Sequence, residues 1–170
     1  MPALVTGRLR LRPCSLDDLD PLHALCTRPE IRRFLFDDRP ITRCEAQALI
    51  EASTASFQRH GYGLWLYSDA ASIAGFAGFL DAGESKPPRL VFATRPDLWG
   101  QGYATEAAAA VLRYAHASLR LERVAADADE PNAASIAVLE KLGMQRSGRE
   151  VTEGRPLLLF ELRYPRPQPV

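Results

Sequence analysis

The segment from Leu98 to Ala107 constrains the fold most, because two closely spaced glycines lead into an alanine-rich stretch. It reads Leu-Trp-Gly-Gln-Gly-Tyr-Ala-Thr-Glu-Ala. Glycines let the main chain turn tightly and approach a ligand closely, and the first N–H groups of a helix have no partner within it. Such a turn is suited to binding a phosphate or pyrophosphate. The alternative is a glycine turn that only joins a strand to a helix.

The spacing of these glycines argues against two common nucleotide-binding motifs. No lysine follows Gly102, so the phosphate-binding lysine of a P-loop is missing. The pattern Gly100-x-Gly102-x-Ala104 does not fit the three-glycine fingerprint of dinucleotide-binding folds. One alternative is a nucleotide-binding protein that uses this loop for phosphate. The missing lysine and the missing third glycine both argue against it.

Length and charge predict one domain whose function resides in a local site. The 170 residues are 46% hydrophobic, which is enough for one compact core and short for two. Lys plus Arg number 21 and Asp plus Glu also number 21, so the overall charge does not favour nucleic acid or an anionic membrane as a partner. We expect a single domain over residues 1–170, with a frayed tail at 165–170.

The cysteines and the apolar runs indicate the compartment. Cys14, Cys26 and Cys44 match neither a disulfide framework nor the paired spacing of a zinc site. The first residues contain no apolar run of signal-peptide length, and no later run approaches the length of a membrane span. We therefore expect reduced cysteines, no metal, no membrane partner and a cytoplasmic protein.

Hydrophobic periodicity and capping signals predict alternating strands and helices. Two capping boxes, Ser15 with Asp18 and Thr42 with Glu45, mark helix starts. We expect strands at 9–12, 64–67, 73–80, 89–94, 124–128, 145–149 and 157–163, and helices from residue 15 and over 42–60, 103–118 and 132–142. The central strand-helix-strand unit predicts two parallel strands, with the glycine loop at the carboxyl end of the first.

Several motifs together resemble the GNAT acyltransferase superfamily, and more narrowly its RimJ/RimL-type branch, which acylates protein N-termini and other amines. They are the glycine loop, Leu-Glu-Arg-Val at 121–124, Asn-Ala-Ala-Ser-Ile at 132–136 and Leu-Glu-Lys-Leu-Gly-Met at 139–144. The resemblance covers nearly the whole chain. It implies a single-domain mixed α/β fold, with a central mixed sheet of about seven strands, two of them parallel and splayed, and about four helices.

The resemblance also implies a reaction. Acetyl-CoA, or another acyl-CoA, would donate its acyl group to a primary amine by direct attack in a ternary complex, and no covalent intermediate is needed. The acceptor would be a peptide N-terminus or a small-molecule amine, and the protein a monomer or homodimer. The expected cofactor-binding residues are Phe92, Ala93, Thr94, Trp99, Gly100, Gln101, Gly102, Tyr103, Ala104, Thr105, Asn132 and Ser135. The alternative is a non-catalytic module that binds acyl-CoA and regulates.

Asp127 and Ser135 are the expected catalytic residues. An attacking amine must be neutral, and amines with a pKa of about 8 to 10.4 are mostly protonated at neutral pH. Asp127 matches a position where some members of the superfamily carry a base-like glutamate. The alternative is that it begins a solvated acidic run with Asp129 and Glu130. Ser135 matches the Asn-x-x-Ser motif of the branch and is expected to protonate the CoA thiolate, whereas an ordinary serine there would bond to the helix backbone.

Two further residues and one segment bear on the identity of the acceptor and of the general acid. Leu139 stands where many members of the superfamily have a tyrosine, which makes Ser135 the better candidate for the acid. Arg89 stands where the branch often has a glutamate facing the acceptor. A guanidinium there would pair with an anionic acceptor, and the alternative is a surface arginine. The mixed aromatic and acidic segment 30–40 is either a packing lid or a wall of the substrate site.

Overall fold

The computed structural model describes residues 1–68, 72–83 and 86–165. The strands are β1 (Leu4–Val5), β2 (Arg10–Pro13), β3 (Leu64–Ser68), β4 (Ile73–Leu80), β5 (Arg89–Thr94), β6 (Arg123–Asp129), β7 (Gln145–Thr152) and β8 (Arg155–Arg163). The helices are α1 (Leu19–Cys26), α2 (Pro29–Leu35), α3 (Arg43–His60), α4 (Tyr103–Ala117) and α5 (Ala133–Lys141). Most of the tail that we expected to fray lies outside the described residues.

All eight strands form one sheet in the order β1-β2-β3-β4-β5-β6-β8-β7. The neighbours β5 and β6 are parallel and the other neighbours are antiparallel. This architecture confirms the expected mixed α/β fold, with one strand and one helix more than predicted. The additional strand is β1, which pairs with β2 through Leu4 and Leu11. The additional helix is α2, which begins with Pro29 at a position where proline's fixed φ favours a helix start.

The capping signals in the sequence form the expected helix ends. The Thr42 hydroxyl accepts a hydrogen bond from the Glu45 N–H at 3.2 Å, and the Glu45 carboxylate accepts one from the Thr42 N–H at 2.7 Å. The same helix, α3, ends at Gly61, whose φ is +79°. Asp18 likewise accepts a bond from the Ser15 N–H at 2.9 Å, although a short 3₁₀ turn over Leu16–Asp18 precedes α1. Local sequence therefore sets these boundaries.

Helices cover both faces of the sheet, and β3 shows how the core is divided. Leu64 and Leu66 pack in a cluster with α1, α2 and α3, whereas Trp65 and Tyr67 pack in a second cluster with α4 and α5. Successive strand residues face opposite sides of a sheet, so each apolar residue of this run has a helical layer to pack against. Within the described residues, no helix is both long and apolar enough to cross a membrane.

The parallel strands β5 and β6 separate soon after they meet. β5 pairs with β4 along its whole length, from Arg89 opposite Leu80 to Thr94 opposite Gly75. With β6 it shares one ladder pair, Arg89 opposite Ala125. Beyond that pair the two carboxyl ends diverge, which opens a gap in the middle of the sheet. Open α/β sheets bind ligands at this kind of position.

Candidate functional site

The glycine loop forms an uncapped helix start at the end of the gap. Gly100 and Gly102 have φ values of +74° and +81°, in the left-handed region that glycine adopts without strain. Gly102 is the N-cap of α4 and supplies no side chain to bond the first N–H groups. The first backbone bond of the helix runs from the Glu106 N–H to the Gly102 carbonyl at 3.0 Å. The preceding N–H groups are therefore free to bind an anion.

The segment before β2 braces this loop. The Arg8 guanidinium donates to the Gln101 carbonyl at 3.0 Å and to the Glu106 carboxylate at 2.7 Å, and it lies 4.8 Å from the centre of the Tyr103 ring. Thr6 also donates to Glu106, at 2.5 Å. These hydrogen bonds lower the pKa of Glu106, so its carboxylate stays charged. Arg8 and Glu106 fix the loop to the edge of the sheet.

Two side chains fix the carboxyl end of β5. The Trp99 indole N–H donates to the Thr94 carbonyl at 2.6 Å, and the Tyr67 hydroxyl lies 2.6 Å from the Thr94 hydroxyl. Burial raises the pKa of Tyr67 above its ordinary value, so it remains a neutral phenol. Tyr67 reaches Thr94 because the intervening residue of β4 is Gly75, where a Cβ atom would lie 2.3 Å from the Tyr67 oxygen. The carboxyl end of β5 is thus fixed by hydrogen bonds from two side chains.

A cleft of about 570 Å³, here called the loop cleft, runs from the glycine loop into the gap between β5 and β6. Every expected cofactor-binding residue lines it except Gln101. Gln101 lies outside because its carbonyl bonds to Arg8 and its side-chain amide is directed to the Asp97 carbonyl at 3.4 Å. Four residues of α2 also line it: Glu30, Ile31, Phe34 and Leu35. The first part of segment 30–40 therefore forms one wall of this cleft.

The edge of β5 offers unpaired peptide groups to the loop cleft. The Arg95 N–H donates to the Ala74 carbonyl at 2.7 Å, and peptide groups alternate in direction along an antiparallel pair. Ala93 therefore directs its peptide group to β4, whereas Phe92 and Thr94 direct theirs into the gap. Since the Thr94 carbonyl accepts a bond from Trp99, Phe92 is the residue near this end of β5 whose N–H and carbonyl both face the gap.

Asn132 and Ser135 stand at the start of α5. The Asn132 side-chain oxygen accepts a hydrogen bond from the Ser135 N–H at 3.2 Å, which makes Asn132 the N-cap of this helix as its sequence predicts. Ser135 is half-buried and lines the loop cleft. Among the described residues its hydroxyl has no hydrogen-bond partner. The alternative in which this hydroxyl bonds to the helix backbone is therefore not what the structure shows.

Asp127 and Arg89 face each other across the start of the gap. Their carboxylate and guanidinium form an ion pair, with 23% of the Asp127 side chain and 52% of the Arg89 side chain exposed. Both residues line the loop cleft. Arg89 is thus neither a lone surface arginine nor a free site for an anion, because its partner belongs to the protein.

A second cleft of about 520 Å³, here called the hairpin cleft, lies between α2 and the β7–β8 hairpin. It shares six lining residues with the loop cleft: Phe34, Leu35, Arg89, Asp127, Asp129 and Leu157. We call these six residues the junction. The two clefts therefore meet at the gap in the sheet. In the described part of the chain, no group of three or more His, Cys, Asp or Glu residues is placed to hold a metal ion.

Asp129 is the charged junction residue that the sequence analysis did not predict as part of the site. As part of a solvated acidic run it would be exposed, yet it is 6% exposed, so that alternative is wrong for this residue. Its carboxylate accepts a bond from Arg155 at 2.6 Å. Burial raises the pKa of Asp129 above the ordinary carboxyl range, although the charge of Arg155 opposes this change. The available signal was its spacing of two from Asp127, since alternate residues share one face of a strand.

Comparisons with known proteins agree with this geometry. At the sequence level the chain is 28% identical to an uncharacterized N-acetyltransferase p20 of Bacillus licheniformis, over 87% of this chain and 85% of the relative. It is also 28% identical to the FsC-acetyl coenzyme A-N(2)-transacetylase of Aspergillus fumigatus, over 84% of this chain and 65% of that protein.

Solved structures show the same fold. A GNAT-family acetyltransferase from Bordetella pertussis matches with a TM-score of 0.82 and 26% identity, over 95% of this chain and 99% of that one. The RimL ribosomal-protein α-N-acetyltransferase, solved with coenzyme A, matches with a TM-score of 0.81 and 18% identity, over 95% and 98% of the two chains. The family model for the acetyltransferase (GNAT) domain matches residues 8–145. This chain therefore belongs to the GNAT family of acetyltransferases.

Proposed function

We propose that this protein transfers the acetyl group of acetyl-CoA to a primary amine, and that the reacting atoms meet at the junction. The observation that carries the proposal is the meeting of two clefts at six shared residues in the gap of the sheet. One cleft leads to an anion-binding helix start and the other opens to solvent near the hairpin. A donor and an acceptor can enter from different sides, which is the arrangement that direct attack in a ternary complex requires.

The loop cleft is the proposed site of acetyl-CoA. Free N–H groups between Gly100 and Thr105 would bind the pyrophosphate, with the positive end of the α4 dipole behind them. The exposed peptide groups of Phe92 would pair with the amides of the pantetheine arm, as an added strand does. Asn132 also lines the loop cleft, and its side-chain amide would contact the same arm. These contacts would place the thioester at the junction.

Ser135 is the proposed general acid. Its hydroxyl has no hydrogen-bond partner within residues 1–68, 72–83 and 86–165, and it lies in the loop cleft at the first turn of α5. A hydroxyl with no internal partner is available to donate a proton to the CoA sulfur as the C–S bond breaks. Leu139 is apolar and 1% exposed, so it supplies no alternative proton donor from its own position.

The acceptor amine would enter through the hairpin cleft, and a carboxylate at the junction would take its proton. Asp127, predicted as the base from the sequence, and Asp129 are the carboxylates of the junction. Both would attract the ammonium form of the acceptor. We propose a peptide N-terminus or a small-molecule amine as acceptor. The names of the relatives support an amine acceptor, since RimL acts on a ribosomal α-amine and the Aspergillus enzyme is named for an N(2) position.

We propose that the protein works in the cytoplasm as a monomer or homodimer. The support for the compartment is that Cys14, Cys26 and Cys44 are all free thiols. The support for a dimer contact is the edge strand β7, whose eight residues are all exposed.

The experiment that tests the proposal has a binding step and a turnover step. Isothermal titration should show that the protein binds acetyl-CoA and does not bind the controls ATP and NAD. Release of CoA thiol is then followed over a panel of peptide and small amines. A Cys44→Ser variant should be used, because this exposed thiol would react with the detection reagent. Amine-dependent release supports the proposal, whereas binding without release from any amine favours a non-catalytic module, and binding of ATP or NAD instead refutes it.

A further inference from the structure

Asp129 is a buried carboxylate at the junction, and the roles predicted for Asp127 and Ser135 do not account for it. It is the last residue of β6, where the gap between β5 and β6 is open, and it lines both clefts. Its backbone carbonyl accepts a hydrogen bond from the Asn132 N–H at 2.8 Å. Asn132 in turn bonds to the Ser135 N–H, so Asp129 is linked through one turn to the proposed acid. A buried carboxylate in this place requires a chemical reason, because burying a charge is costly.

The charges around Asp129 leave it able to accept a cation. Arg155 on β8 donates one N–H to Asp129 at 2.6 Å and another to Asp37 at 2.6 Å. One guanidinium is thus shared between two carboxylates, and Asp127 adds a third negative group that is already paired with Arg89. The second oxygen of Asp129, Oδ1, accepts no bond from any described residue and is not completely buried. The cluster of Asp129, Asp37 and Arg155 therefore carries one uncompensated negative charge.

The charged partners and the exposure of Asp127 differ from those of Asp129. Asp127 has a guanidinium to itself, whereas Asp129 shares one. Asp127 is also more exposed, with 23% of its side chain accessible compared with 6% for Asp129. Burial and incomplete neutralisation both favour the protonated form of a carboxyl group, and Asp129 is the junction carboxylate that has both.

We infer that Asp129 is the residue that accepts the proton of the attacking amine, and that Arg155 positions it. This inference rests on the proposed function. The ammonium form of the acceptor would bind at the free oxygen of Asp129 and give it one proton. The neutral nitrogen then forms the N–C bond with the acetyl carbonyl, and the C–S bond breaks. The Ser135 hydroxyl gives a proton to the CoA sulfur and regains one from the nitrogen, while Asp129 returns its proton to solvent.

Arg155 connects this base to the wall of the cleft. Besides its bonds to the two carboxylates, it donates to the Arg33 carbonyl near the end of α2 at 2.9 Å. The guanidinium therefore holds α2 and the following turn against the end of β6. We expect Arg155→Gln to move the acid limb of the pH profile of kcat to higher pH, because the cation that opposes protonation of Asp129 is lost. Arg155→Lys, which keeps the charge, should restore most of the original profile.

The test compares three carboxylates of the same strand end. Asp129→Asn keeps the shape of the side chain and its ability to accept from Arg155, so the fold should be retained. We expect kcat at neutral pH to fall by about 100-fold or more, as for other general bases, and the deficit to shrink as pH approaches the pKa of the amine. Acetyl-CoA affinity should be unchanged. Glu130→Gln is the matched control, because Glu130 lies outside both clefts and pairs with Arg149 at 2.8 Å, so its kcat should be that of the wild type.

Asp127→Asn separates the two candidate bases. It frees Arg89 beside the entering cation, so we expect a higher KM for the amine with the pH profile of kcat unaltered. The inference would be overturned if Asp129→Asn kept the kcat and the pH profile of the wild type. It would also be overturned if Asp127→Asn, and not Asp129→Asn, lost kcat at neutral pH and regained it at alkaline pH. Wild-type protein that releases no thiol with any amine would refute the proposed function, and this inference with it.

A titration of the wild-type protein provides a readout that does not depend on any variant folding. Carbon-13 NMR of the aspartate carboxyl carbons should show Asp129 releasing its proton at a higher pH than an ordinary aspartic acid. Titration of Asp129 at or below the pH at which an ordinary aspartic acid titrates would contradict its role as the base.

Discussion

Replacing Gly102 by alanine tests the anion-binding loop at a single backbone position. The φ of Gly102 is +81°, and an added Cβ would meet only the Arg8 guanidinium at 3.5 Å, which is an ordinary contact. The cost is therefore conformational and amounts to about 1–2 kcal/mol for a left-handed residue. Relaxing this strain would rotate the peptide groups at the start of α4 away from the proposed pyrophosphate position. Loss of one hydrogen bond to a charged group, about 1.5–3 kcal/mol, corresponds to roughly 10- to 150-fold weaker binding of acetyl-CoA.

Gly143→Ala is the matched control for this substitution. Gly143 follows α5 with a φ of +80°, and an added Cβ would meet no atom within 4 Å. Thermal unfolding should show a similar loss of stability in both variants, because the backbone strain is the same. Isothermal titration should show weaker acetyl-CoA binding in Gly102→Ala alone. Equal dissociation constants for the two variants would remove the glycine loop from the binding site.

Three further substitutions test other parts of the site and fold. Ser135→Ala should lower kcat by about 100-fold with the acetyl-CoA dissociation constant unchanged, and wild-type kinetics would reject Ser135 as the acid. Trp99→Phe removes the N–H donor that lies 2.6 Å from the Thr94 carbonyl. Loss of about 1 kcal/mol should weaken acetyl-CoA binding by about 5-fold in isothermal titration. Unaltered affinity would show that Trp99 does not fix the end of β5 for acetyl-CoA binding. Burial would raise the pKa of Asp18, but bonds from Arg12 at 2.5 and 2.8 Å lower it, so its stabilisation is present above the unfolded pKa of about 3.9 and is lost as pH falls through the folded pKa. In urea unfolding, Asp18→Asn should be less stable than the wild type by about 1–3 kcal/mol at pH 7, and this difference should shrink as the pH falls below about 3.9. A constant difference would contradict the assignment.

Features set by neighbouring residues were predictable from the sequence. The capping box of Thr42 and Glu45, the N-cap at Asn132 and the glycine start of α4 each depend on contacts within a few residues. The parallel pairing of β5 and β6 followed from the strand-helix-strand order. Local signals therefore predicted most of the fold and the outline of the loop cleft.

The missed parts of the site depend on contacts between distant segments. Arg155 bonds to Asp37, 118 residues earlier, and no local pattern indicates this pairing. The buried Asp129 bonds to Arg155, which also bonds to the Arg33 carbonyl of α2, so its surroundings come from three distant segments. The same holds for the ion pair of Arg89 with Asp127, which brings together the start of β5 and the second half of β6, two strands separated by α4. Tertiary packing decides which charged residues face a cleft and which face solvent.

The most direct test of acetyl transfer across the junction is the initial rate of CoA release with both acetyl-CoA and amine varied. Direct attack in a ternary complex predicts double-reciprocal lines that intersect, because both substrates must be bound before any product leaves. Parallel lines, together with an acetylated protein after incubation with acetyl-CoA alone, would show a covalent enzyme intermediate and contradict the account.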